Sequence, residues 1–103
     1  MHTHPVTLIG LGAIGSSLFD RMQSHPTVRI THVVVSPARV AETQARLGSR
    51  AQAVSAVPAE ATLVLECAGH RALLEHVLPA LARGVECAVL SVGALSEIGR
   101  AHV

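Results

Sequence analysis

The chain carries Gly10-Leu11-Gly12-Ala13-Ile14-Gly15 immediately after the apolar run Val6 to Ile9 and at the head of a helical stripe, Ile14, Leu18 and Met22. A GxGxxG in isolation says little, because glycines cluster in many loops. Placed between a strand and a helix it prescribes a tight βα turn, and each glycine then has a physical task. Gly10 makes the turn, Gly12 lets a phosphate group approach the backbone, and Gly15 lets the helix pack closely on the strand. The first turn of that helix, including Ala13 and Ile14, presents free N–H groups and the positive end of its dipole to the same point. A Walker A loop is excluded, since the chain contains no lysine. The alternative is a glycine-rich turn that binds nothing.

The rest of the chain repeats the same alternation. Val28 to Ser36 reads as a second strand, its Val33-Val34-Val35 run suiting a strand covered on both faces. Ala38 to Leu47 reads as a helix closed by Gly48, and Ala51 to Val57 as a short third strand. Pro58 to Ala61 forms a turn and Leu63 to Cys67 a fourth strand. Arg71 to Arg83 is helical, with Leu74, Val77, Leu78 and Leu81 on one face, Gly84 as its stop and Pro79 as a kink. Cys87 to Val92 is the fifth strand. This order predicts α/β architecture: a doubly wound parallel sheet with right-handed crossovers, a Rossmann dinucleotide-binding domain truncated after about five strands. With half the residues apolar and a single Phe as the only aromatic, the core must be built from Ala, Val, Leu and Ile.

Residues 1–97 are expected to be this incomplete domain, with no catalytic domain present. The last six residues, Ile98-Gly99-Arg100-Ala101-His102-Val103, are what the start of a common sequencing-adapter oligonucleotide would encode. They are expected to be a non-native tail, the alternative being a natural C-terminus.

Several function classes are disfavoured. Net charge is +1 with scattered arginines and no stacking aromatics, so nucleic-acid binding is not expected. No run approaches the length of a membrane span, and the amino terminus has no signal-peptide pattern. Cys67 and Cys87 form no CxxC and lie in apolar runs, which fits a reduced cytoplasmic interior. No Cys/His spacing resembles a zinc site, and no metal is expected. His25 and His32 read as surface residues, and His76 as partly exposed on the crossover helix.

Ligands of doubly wound sheets bind at the carboxyl ends of the strands, which singles out three further places. An acidic residue that would hold ribose hydroxyls belongs ~20 residues after the glycines, at the end of the second strand. There the chain reads Val35-Ser36-Pro37-Ala38-Arg39, without a carboxylate. Ser36 and Arg39 would instead suit a 2′-phosphate, so the cofactor is expected to be NADP or NAD, with NADP accepted. The alternative is a solvated Arg39. The fourth strand ends Glu66-Cys67-Ala68-Gly69-His70. Ala68 and Gly69 leave room for a ribose or nicotinamide, and His70 could donate to cofactor or substrate or simply start a helix. Glu66 in an apolar strand either has a partner, lies near the cleft, or is simply exposed at the end of the sheet. Cys67 reads as a small buried hydrophobe. Ser91-Val92-Gly93-Ala94 ends the fifth strand, and Ser91 and Gly93 form a second small-residue loop on the nicotinamide side.

Four stretches resemble the L-aspartate dehydrogenase family: Leu8 to Ser17, Glu66 to His70, Glu75 to Gly84, and Ser91 to Leu95. The glycine motif is shared widely among Rossmann enzymes, whereas the other stretches are more specific. The resemblance covers about residues 6–96. It implies an oxidoreductase acting on the CH–NH2 group of L-aspartate with NAD or NADP. The product would be iminoaspartate, which hydrolyses to oxaloacetate and ammonia or feeds quinolinate and NAD synthesis. It also implies a cytoplasmic homodimer whose second α+β domain holds the catalytic His. That residue belongs to a segment outside this chain, so no catalytic role passes to His70 or Ala94. The 103-residue chain alone is expected to bind cofactor weakly and to catalyse nothing. A homoserine dehydrogenase or dihydrodipicolinate reductase-like cofactor domain, or a freestanding nucleotide-binding module, are the alternatives.

Overall fold

The computed structural model describes residues 3–91. Val92, Gly93, Ala94 and the 98–103 tail lie outside them. Five strands form one sheet: β1 (His4–Ile9), β2 (Val28–Val34), β3 (Gln52–Val54), β4 (Leu63–Glu66) and β5 (Glu86–Val89). Every pairing is parallel and the spatial order is β3-β2-β1-β4-β5. The chain thus runs outward from β1 to β3, then crosses back to the other side of β1. That reversal, between β1 and β4, is the topological switch point at which such sheets open a crevice.

Helix α1 (Ala13–Met22) and helix α2 (Val40–Leu47), the latter preceded by a 3₁₀ turn at Pro37–Arg39, cover one face. There Leu8, Val33 and Leu47 pack with Phe19. The other face is covered by a helical run built from α3 (His70–Ala72), a π-helical turn (Leu73–Val77) and α4 (Leu78–Ala82). Ile9, Val34, Val64 and Val77 form the core on that side. Neighbouring residues of β1 therefore serve opposite cores, which is why β1 and β2 end in the apolar runs Leu8-Ile9 and Val33-Val34.

Two helix faces differ from expectation. On the crossover helix, Leu74, Leu78 and Leu81 are about half exposed, at 56%, 53% and 49%, and the buried set is Ala72, Leu73, Val77 and Ala80. The helix carries two apolar stripes one residue apart. The sheet takes the one with alanines, because small side chains let the helix backbone approach. On α1, Ile14 is exposed while Gly15 and Phe19 are buried, so the lone aromatic does belong to the core. Pro79 removes a backbone donor, and the run accommodates it with the wide π turn just before it, where the Leu78 N–H reaches the Leu73 carbonyl. His32 is half-buried rather than on the surface.

Candidate functional site

The turn after β1 is folded around its glycines. Gly10 has φ +92°, and a Cβ there would stand 2.8 Å from the Cβ of Ala68, so both backbone conformation and space exclude a side chain. A Cβ on Gly15 would collide with the carbonyl oxygen of Gly10. Those two glycines are demanded by the protein itself. Gly12 is not. It caps α1 with an ordinary φ of −77°, and a Cβ there would meet nothing within 4 Å. The space beside Gly12 is left open, at the amino end of a ten-residue helix whose cap residue offers no side chain to the free N–H groups.

That space belongs to a crevice of about 430 Å³ at the switch point. Of the residues singled out at the strand ends, Gly10, Gly12, Ser36, Arg39, Cys67 and Ala68 line it, Cys67 being only partly buried. Ala13 and Ile14 face a separate shallow recess with Ser17 and Arg21, so what they can offer the crevice is backbone. Gly15 lies beneath the turn, in contact with Gly10 rather than with open space. His70 is exposed at the start of α3 and is not among the lining residues. Gly93 lies outside the described residues. Arg39 stands at the crevice but its Nε also donates to Glu42 Oε1 at 2.7 Å, with both side chains well exposed.

Glu66 resolves the question of a carboxylate in an apolar strand. Its side chain is fully buried, and each oxygen has a donor. The N–H groups of Ala68 and Gly69 donate to Oε2 at 2.6 and 2.5 Å, and the Ser91 hydroxyl donates to Oε1. The carboxylate thus ties the loop after β4 to the segment after β5. Two residues expected to face a ligand, Gly69 and Ser91, spend their N–H and O–H on this latch. Cys67, next to it, has its thiol pushed above the ordinary range by burial first and by the Glu66 charge second. Burial also raises the Cys87 thiol. Neither favours the thiolate that a nucleophile requires.

Sequence reasoning missed the far wall. Arg71, Glu75 and His76, from the crossover helix, also line the crevice. Only the spacing of Arg71 and Glu75, one helical turn apart, signalled a pair, and that pattern is common on any solvated helix.

The strand order and the crevice define a dinucleotide-binding Rossmann domain. Residues 10–102 match the family model described as "Homoserine dehydrogenase, NAD binding domain", and the chain belongs to that family. Its cofactor class is therefore the nicotinamide dinucleotides. Among curated relatives, it is 46% identical over 101 residues to the L-aspartate dehydrogenase of Pseudomonas aeruginosa, covering 91% of this chain and 37% of the relative. It is 44% identical over 103 residues to that of Cupriavidus necator (94% of this chain, 38% of the relative). To that of Ralstonia nicotianae it is 40% identical over 103 residues, with the same coverages. The chain thus spans under two-fifths of the length of these relatives. Among the described residues, no helix is long and apolar enough to cross a membrane, and no cluster of His, Cys, Asp or Glu could hold a metal ion.

Proposed function

We propose that residues 1–97 form the cofactor-binding part of a cytoplasmic, homodimeric L-aspartate dehydrogenase, whose catalytic His lies in a second domain. The observation that carries the cofactor reading is the open space at Gly12, a glycine that nothing inside the protein requires. It makes room for a pyrophosphate against the backbone N–H groups at the head of α1, from Gly12 through Ala13 and Ile14. Gly10 lines the crevice and shapes the turn, and Gly15 beneath it lets the helix pack close. Ser36 and Arg39 take the adenosine ribose and, in NADP, its 2′-phosphate. In this reading Ala68, Gly69, His70 and Ser91 serve the ribose and nicotinamide side, and Gly93 is assigned there from the sequence alone. The bound nicotinamide would accept the hydride lost from the α-carbon of aspartate. This chain's residues contribute binding and orientation: the Glu66 latch fixes the two loops between which the nicotinamide ring would lie.

The aspartate substrate is supported by 38–46% identity to relatives named L-aspartate dehydrogenase. A second reading, a homoserine-oxidising enzyme, is favoured by the description of the family model itself. Genomic DNA read past codon 97 separates the two by the catalytic motif that follows, and it also tests whether residues 98–103 are native. The cofactor reading is tested on the chain as it stands. Gly12→Val is expected to keep the far-UV circular dichroism and the urea midpoint of the wild type while weakening NADP binding at least about tenfold, as a side chain in the phosphate space should. Unaltered binding by Gly12→Val would show that no pyrophosphate lies there.

A further inference from the structure

Resting on that cofactor reading, the crevice has a feature with no counterpart in the glycine turn: a cation on each of two opposite walls. Arg39 follows β2 and Arg71 lies in the first turn of the helix after β4, and β2 and β4 flank β1 on its two sides. The β2 wall holds no carboxylate at the position that would favour a ribose diol, only Ser36 and Arg39. Arg71 is 91% exposed in its side chain and, among the described residues, pairs with Glu75 at 3.2 Å. Arg39 is held in the same way by Glu42. Exposed pairs of this kind hold a guanidinium weakly, so each arginine can leave its carboxylate for a better anion. A phosphate monoester, with close to two charges and three acceptor oxygens, is such an anion.

We infer that Arg71 is a specificity-determining residue: with Arg39 it grips a phosphate monoester on the adenosine ribose from the opposite wall, and Glu75 competes for it. NAD and NADP differ only in that phosphate, so the difference between their affinities isolates it from every other contact. Arg71 is too exposed for its loss to disturb the fold, and Glu75 makes no contact with the core face described above.

Kd values for NAD and NADP would be measured by isothermal titration calorimetry on the 103-residue chain and on Arg71→Ala, Arg71→Lys and Glu75→Gln. Loss of one charge-assisted contact corresponds to about tenfold. Arg71→Ala should therefore weaken NADP about tenfold and leave NAD within about twofold. Arg71→Lys should restore part of the NADP affinity, and Glu75→Gln should tighten NADP while leaving NAD alone. An Arg71→Ala variant that binds NADP as the wild type does, or that loses NAD and NADP equally, would overturn the inference. Wild-type chain that binds NAD but not NADP would overturn it as well, while leaving the crevice reading intact. Wild-type chain that binds neither would remove both.

Discussion

Glu66 offers the sharpest perturbation, because its carboxylate is buried among three donors and no cation. Replacing it with Ala leaves the Ser91 hydroxyl and the Ala68 and Gly69 N–H groups without their acceptor. A buried donor stripped of its partner costs about 1–3 kcal/mol. Ser91 is buried and is charged at the full rate. Ala68 is exposed and Gly69 half-buried, so water recovers much of what their amides lose. The expected loss for Glu66→Ala is about 2–4 kcal/mol, a large share of the ~5–15 kcal/mol typical of a domain this size. Glu66→Gln keeps a carbonyl oxygen for the two amides, and its NH2 can donate to the Ser91 oxygen. It forfeits only the charge assistance, about 1–2 kcal/mol. The assay is urea denaturation followed by far-UV circular dichroism, since a chain with no Trp and no Tyr offers no useful intrinsic fluorescence. Adding Ser91→Ala completes a double-mutant cycle, in which the coupling between the two positions should exceed ~0.5 kcal/mol. A Glu66→Ala variant within about 0.5 kcal/mol of wild type, a margin ordinary for harmless surface changes, would refute the latch. A Gln variant as damaged as the Ala variant would show that charge matters and hydrogen-bond geometry does not.

Two further outcomes follow from burial. Leu73→Ala should cost about 2–5 kcal/mol, whereas Leu74→Ser, one residue along, should cost under about 1 kcal/mol, because only Leu73 faces the sheet; equal urea midpoints for the two variants would reverse the assignment of the helix face. The raised Cys67 thiol predicts slow alkylation by iodoacetamide at neutral pH and a particular pH dependence of stability. Its folded-state pKa lies above the unfolded one, so the contribution is present below the ordinary thiol value of ~8.5 and is lost as pH rises through the folded value. Urea midpoints should therefore fall as pH rises above about 8.5, and fall less in Cys67→Ala; an identical slope in the variant would remove the cause.

What the sequence made legible is what short-range chemistry decides. β1, β2 and β4 are apolar because both faces are covered, and Gly10 and Gly15 are glycines because backbone and neighbouring atoms leave no room. Those constraints act within a few residues, and they made the parallel sheet and its glycine turn legible. Helix faces were harder. From Ala72 to Leu81 nearly every position that could meet the sheet is apolar, so the period alone could not choose between Leu73-Val77-Ala80 and Leu74-Leu78-Leu81. The choice rests on how closely the backbone must approach β1 and β4, a tertiary quantity. The partner of Glu66 was hidden for a related reason: Ser91 lies 25 residues away and reaches it only because β4 and β5 are neighbours in register. The far wall of the crevice was hidden most completely. Arg71 and Glu75 have the spacing of any solvated ion pair, and the crossover from β3 back to β4 is what carries them opposite Arg39. The part of the site that would distinguish one dinucleotide from another is thus built from side chains whose local sequence carries no mark of it, on two elements that only the topology brings together.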